Sequence, residues 1–175
     1  MPELHTNHLI LREFRDSDVD PLYEIQGNRD HMRFTFWAES RAASEIWLRR
    51  YADARRINGF APWTVVHRLE QCVIGWGGLN IDPNAPGWGT EVSYFIHPSC
   101  QGRGFATEVV RFSLRHGFRD LGLGQIGAFA KPENEASARV LKKCGFKIVR
   151  YEPALERNQY ELRAEDWTAS VTSSV

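Results

Sequence analysis

An α+β domain (a three-layer α/β arrangement) is predicted, built on a mixed, mostly antiparallel central sheet of about seven strands. Three observations predict it. Two apolar runs, 61–67 and 72–81, are separated by the polar turn Arg68-Leu69-Glu70-Gln71 and read as an antiparallel hairpin. A third run, 88–96, follows the turn signal Asp82-Pro83-Asn84-Ala85-Pro86-Gly87 and makes a three-strand meander. A strand–helix–strand unit then runs over 92–130, and such a crossover joins parallel neighbours.

The elements follow in order. Residues 8–12 form a short apolar strand. Asp16-Ser17-Asp18 supplies a helix N-cap and an acidic first turn; Leu22, Ile25 and Gln26 share one face of that helix, and Gly27 stops it. Residues 30–39 have no clear period and gather Phe34, Phe36 and Trp37 in a connection. Ser40 begins a second helix with Ala43, Ile46, Trp47, Tyr51 and Ala54 on its inward stripe, ended by Gly59. Gly75, Gly77 and Gly78 inside a strand mark a bulge or a close approach of backbone or ligand. After the crossover comes a strand over 125–130. Asn134 then caps a helix over 135–144 that turns Ala136, Val140, Leu141 and Cys144 inward, with Gly145 as its C-terminal cap. Strands over 146–151 and 158–163 complete the set. Nothing divides residues 1–167, read as a single domain, and the small polar tail 168–175 is expected to be disordered.

A chain of 175 residues has room for a real core. A net charge of zero gives no overall pull toward nucleic acid or anionic membrane, and neither partner is expected. No apolar run reaches the length that spans a bilayer, and the opening MPELHTNHLI lacks the pattern of a secretory signal. Cys72, Cys100 and Cys144 are odd in number and scattered, so reduced thiols in a cytoplasmic protein are expected. Neither they nor the histidines have metal-ligand spacing, and no metal is expected. Cys100, beside a glycine turn, reads as a small half-buried residue rather than a nucleophile.

The chain is organised around residues 91–110, EVSYFIHPSCQGRGFATEVV. Its β-branched and aromatic start is a strand; Ala106, Val109, Val110, Ser113, Leu114 and Gly117 make the buried face of a helix. Between them, Gly102 and Gly104 remove side chains where the backbone turns into the helix. That leaves a row of N–H groups at the positive end of the helix dipole, an arrangement that binds phosphate. Two glycines at such a junction also make an ordinary tight turn. The third glycine of a dinucleotide fingerprint and the Gly-Lys-Ser/Thr of a P-loop are both missing.

Gln101-x-x-Gly104-x-Ala106 matches the Arg/Gln-x-x-Gly-x-Gly/Ala signature of the GNAT acetyltransferases. "LILREFRDSDVDPLYEI" resembles the first strand and helix of that family, and "AKPENEASARVLKKCGFKIV" is similar to its N-x-x-S…K-x-GF block. The resemblance covers roughly residues 9–167 and is closest to the branch acting on ribosomal-protein N-termini. It implies helices on both faces of the sheet, a splay between strands 4 and 5, and acetyl-CoA as the acetyl donor. It assigns the pyrophosphate to the loop of Gln101, Gly102, Arg103, Gly104, Phe105, Ala106 and Thr107, and main-chain bonds to the pantetheine to Phe95, Ile96 and His97. Arg103 reads equally as an exposed arginine at a helix start. Asn134 reaches the cofactor in the family, although helix capping alone also accounts for it. Phe34, Trp37 and Trp76 would wall the acceptor pocket, or fill the core.

Acyl transfer to an amine needs a base and a tolerable leaving thiolate. Glu91 matches the place where some family members carry a carboxylate that acts through water; the bland reading is a solvated strand-end glutamate. Leu141 stands where many members have a tyrosine acid. Ser137 matches a serine of the ribosomal-protein branch that could donate to sulfur, or it bonds its own helix backbone. Two functions follow. One is an N-acetyltransferase acting by direct attack on a primary amine, either a protein N-terminus or a small molecule. The other is a non-catalytic acyl-CoA sensor of the same fold. The sequence leaves a homodimer open.

Overall fold

The computed structural model describes residues 3–167, and the tail expected to be disordered lies outside them. One sheet holds β1 (Leu4–His5), β2 (Leu9–Arg12), β3 (Trp63–His67), β4 (Val73–Asn80), β5 (Glu91–Ile96), β6 (Gln125–Ala130), β7 (Lys147–Glu152) and β8 (Arg157–Arg163). Their spatial order is β1-β2-β3-β4-β5-β6-β8-β7. Every neighbouring pair is antiparallel except β5–β6. The mixed, mostly antiparallel sheet is the one predicted, with one strand more. β1 is two residues long, too short for an alternating pattern to register.

The helices are α1 (Val19–Gln26), α2 (Arg41–Asp53), the short α3 (Arg55–Asn58), α4 (Phe105–Arg115) and α5 (Glu135–Lys143). α1 and α2 pack on one face, where Leu22, Ile25, Leu48 and Tyr51 meet Trp76 and Phe95. α4 and α5 pack on the other, over Leu79, Val92, Ile126, Ala128 and Tyr160. Two inward stripes differ from expectation. In α2 the buried residues are Ser44, Leu48 and Tyr51, while Ile46 is 69% exposed. Ser44 Oγ donates to Gln26 Oε1 at 2.6 Å, a polar contact between helices that a hydrophobic pattern does not reveal. In α5, Ala136 faces solvent and Ala138 turns inward with Leu141 and Cys144.

Asp18, read as part of a helix cap, is buried between α1 and the sheet. Its carboxylate accepts two bonds from the Arg12 guanidinium at 2.7 Å, one from Thr64 Oγ1 at 2.8 Å and one from the Arg15 N–H at 2.9 Å. Burial opposes its charge, but these bonds outweigh burial and hold its pKa below the usual aspartate value.

Two features of the sheet position the site. The first is the glycine run in β4. A Cβ on Gly75 would run into the Phe95 carbonyl oxygen, and one on Gly77 would lie 2.7 Å from Tyr94 Cβ. The close approach anticipated from the sequence is therefore made by the backbone of β5. The second is the split. β5 and β6 share a single residue pair, Glu91↔Gly127, with the Gly127 N–H donating to Thr90 O at 2.9 Å. Past that pair the two strands part. The split follows the fourth strand of the predicted count, which is β5 once β1 is included.

Candidate active site

At the open end of the split the chain leaves β5, makes a short turn over Pro98–Cys100 and enters α4. Gly102 and Gly104 take φ of +74° and +89°, in the left-handed region that disfavours a side chain. Gly104 is the N-cap of α4 and offers no side-chain cap. The first helical bond is donated by Glu108 to Gly104 O at 3.0 Å. Among the described residues, no acceptor meets the N–H groups of Gly102, Arg103, Gly104, Phe105, Ala106 or Thr107. Six successive donors at a helix start, with no protein acceptor, suit a diphosphate. Arg103 stacks over Phe105 and, with Arg68, Arg111, Arg115 and Lys143, lines a groove of about 760 Å³ beside this helix start. The electrostatics there favour an anion.

Gln101 has a different task. Its N–H donates to Pro98 O at 3.1 Å, and its side-chain amide donates to Ile96 O at 3.0 Å, tying the loop to the end of β5. The parity of the ladder decides which strand groups face the split. Thr90 O points to β6, and the His97 N–H points to β4, where it meets Ile74 O at 2.8 Å. Main-chain groups alternate, so those of Tyr94 and Ile96 face the split. This corrects the expectation for Phe95 and His97. Phe95 pairs with Trp76 of β4, and His97 O is taken by the Cys100 N–H at 2.8 Å.

Glu91 lies at the closed end of the split. It is 8% exposed, and its pKa is pushed up to about 7 by burial and then by the charge of Asp82, against the opposing pull of Arg157. Burial, with the neighbouring carboxylates of Asp82 and Glu91, also pushes the Tyr51 phenol up. Trp88, at the end of the β4–β5 connection, meets Phe129 of β6 edge-on at 5.3 Å. By strand alternation Glu91, Gly127 and Phe129 share the α1/α2 face. Asp82 and Arg157 are charges that the sequence reading did not single out. Neither stands in a motif, and each acts only through its nearness to Glu91.

The aromatic residues divide. Trp76, expected to wall an acceptor pocket, is 3% exposed and enclosed by Trp47, Tyr51 and Phe95, so it belongs to the core. In the connection Phe34 is half-buried and Trp37 is exposed. The Trp37 indole N–H donates to Gly27 O at 3.1 Å, and Phe34 O accepts from Arg157 at 3.4 Å. On the α4/α5 face, Asn134 Oδ1 accepts from the Ser137 N–H at 3.1 Å, so the cap reading is realised. Leu141, at the position where the family resemblance expects a tyrosine, is 1% exposed and packed in the core beneath α4 and α5. Ser137 Oγ lies 3.0 Å from the Tyr94 hydroxyl and makes no bond to its own helix backbone, unlike Ser113, which bonds Val109 O at 2.8 Å. No motif marks Tyr94, which alternates onto the face opposite Glu91 and whose partner Ser137 is distant in sequence. Among the described residues, no cluster of His, Cys, Asp and Glu is placed to hold a metal, and no helix is long and apolar enough to cross a membrane.

An open-ended split, a helix start rich in free amides and a buried carboxyl of raised pKa suit an acyltransferase of the coenzyme A-dependent type. Comparison with known proteins agrees. The GNAT acetyltransferase domain family matches residues 8–147. An uncharacterised N-acetyltransferase of Bacillus subtilis, YoaA, is 32% identical over 148 residues, covering 83% of this chain and 82% of its own. The spermidine N-acetyltransferase of Vibrio cholerae, solved with CoA and spermine, superposes with a TM-score of 0.74 at 21% identity, over 93% of this chain and 99% of its own. The ribosomal-protein-S5-alanine acetyltransferase of Vibrio fischeri superposes with a TM-score of 0.74 at 19% identity, over 95% of this chain and 99% of its own. The chain belongs to the GNAT acetyltransferase family, and it is an acetyl-CoA-dependent N-acetyltransferase.

Proposed function

We propose that the protein transfers the acetyl group of acetyl-CoA to a primary amine by direct attack in a ternary complex, with Glu91 as the base. The observation that carries this reading is the buried Glu91 carboxyl at the closed end of the split, with a pKa of about 7. A base poised near neutral pH takes a proton effectively and gives it up again. The acceptor is a protein N-terminus or a small-molecule amine reaching Glu91 from the face that carries Asp82, Phe129 and the 30–39 connection. The diphosphate rests on the amides from Gly102 to Thr107, the pantetheine runs beside Tyr94 and Ile96, and Asn134 keeps its side-chain N–H₂ for the cofactor. CoA release should appear only when an amine from a panel of peptide N-termini, polyamines and amino acids is added. Tight acetyl-CoA binding with no release for any amine would leave the sensor reading, which Leu141 in place of a tyrosine favours.

The loop has its own test. Gly104→Val forces a β-branched residue into φ of +89°. We expect the Kd for acetyl-CoA to rise at least about tenfold, with a stability loss of about 1–3 kcal/mol. Calorimetric titration and thermal melting check both, and unchanged affinity would remove the loop from the cofactor site.

A further inference from the structure

Acetyl transfer with Glu91 as base uses no phenol, yet the structure places one across the split. Tyr94 stands three residues past the single β5–β6 pair, on the opposite face of β5 from Glu91. Its ring packs against the core beneath α4 and α5. Its hydroxyl reaches Ser137 Oγ at 3.0 Å, in the first turn of α5. β5 belongs to one side of the split; α5, which follows β6, belongs to the other. The contact therefore bridges the two sides on the α4/α5 face. Ser137 also has its backbone N–H held by Asn134 Oδ1, so the residue is fixed at both its main chain and its side chain. Burial pushes the Tyr94 phenol up to about 12, which keeps its proton at neutral pH.

We propose that Tyr94 is a positioning residue for the departing sulfur: its O–H donates to Ser137 Oγ and so turns the Ser137 O–H into the split. This rests on the acetyl-transfer reading and on the Ser137 role that the family resemblance implies, and it adds the group that orients that serine. As the tetrahedral adduct collapses, the C–S bond breaks and its electron pair goes to sulfur. The Ser137 O–H stabilises that charge as a hydrogen-bond donor, and no proton leaves serine. The amine proton goes to Glu91 and on to solvent. Base and donor thus act from opposite faces of one sheet. The side chain absent at position 141 is replaced by a pair assembled from a strand and a helix.

The test is steady-state kinetics of the full chain with acetyl-CoA and a productive amine, comparing Tyr94→Phe, Ser137→Ala and the double variant. Tyr94→Phe keeps the ring and its packing. It should lower kcat roughly 10- to 100-fold with KM for acetyl-CoA unchanged, the loss of one hydrogen bond to a developing charge. Ser137→Ala should match it, and the double variant should be no worse than either single one, because the two hydroxyls act as one unit. Tyr94→Thr keeps a hydroxyl but cannot reach Ser137, and should not rescue. Wild-type kcat in Tyr94→Phe, losses that multiply, or a KM rise at constant kcat would overturn the proposal while leaving acetyl transfer standing. No amine-dependent turnover by the wild-type chain would defeat the transfer reading and this proposal together.

Discussion

Glu91→Gln is expected to lower kcat roughly 10²- to 10⁴-fold, the range for loss of a positioned general base. The amide keeps the shape of the carboxyl, so acetyl-CoA binding should be unchanged. The wild-type enzyme should gain activity as pH rises through about 7, where Glu91 ionises, and reach a plateau above it. The variant should lose that limb of the pH profile. Stability should move the other way. Glu91 has a folded pKa above its unfolded value of 4.5, so the fold binds the extra proton between pH 4.5 and about 7. The stability carried by the protonated form is full below 4.5 and is lost as pH rises through about 7. At pH 8 the ionised carboxylate costs the wild-type fold about 3 kcal/mol, which glutamine avoids. Glu91→Gln should therefore be nearly inactive yet melt higher than wild type at pH 8, and no lower at pH 4. Wild-type kcat in this variant would exclude Glu91 as the base.

Asp18→Ala is expected to destabilise the fold by about 3–5 kcal/mol, because it leaves Arg12 and Thr64 without their acceptor in a buried setting. Denaturant unfolding measures the loss. Replacing both members of the ion pair with apolar residues should recover part of it. The pKa of Asp18 is lowered in the fold, so its contribution is present above the ordinary carboxylate range. It should disappear as pH falls below about 4 and through the folded pKa. The variant's deficit should accordingly narrow in acid.

Local features of this protein were legible in the sequence, and features that depend on docking were not. The loop at Gly102 and Gly104 could be read because a glycine pair between a strand and a helix fixes its own backbone. Glu91 was singled out through the family resemblance, and alternation along the strand assigns its face; its burial and its nearness to Asp82 came only with the structure. Trp76 could not be placed. Whether an aromatic ring walls a pocket or fills a core depends on how Trp47 and Tyr51 of α2 come down on it. The misplaced α2 stripe has the same origin, since its inward position at Ser44 is set by a bond to Gln26 in another helix. The main-chain assignment to Phe95 and His97 failed on hydrogen-bond parity, which is set by the register with β4 and by where the parallel pair begins. Tyr94 lay beyond reach because its partner is 43 residues away.

The one pair that joins β5 to β6 acts as the pivot of a pair of tongs. Beyond Glu91 and Gly127 the two strands share no ladder bond, and only side-chain contacts such as Tyr94–Ser137 tie the two sides together, so the backbone is least constrained toward Ile96. In the proposed complex the acyl group lies beside the Glu91–Gly127 fastening and the nucleotide at the open end, so a thicker acyl chain would meet the part of the split least able to widen. The sheet thus holds the Glu91 carboxyl beside its one β5–β6 fastening, and the glycine loop lies at the unfastened end.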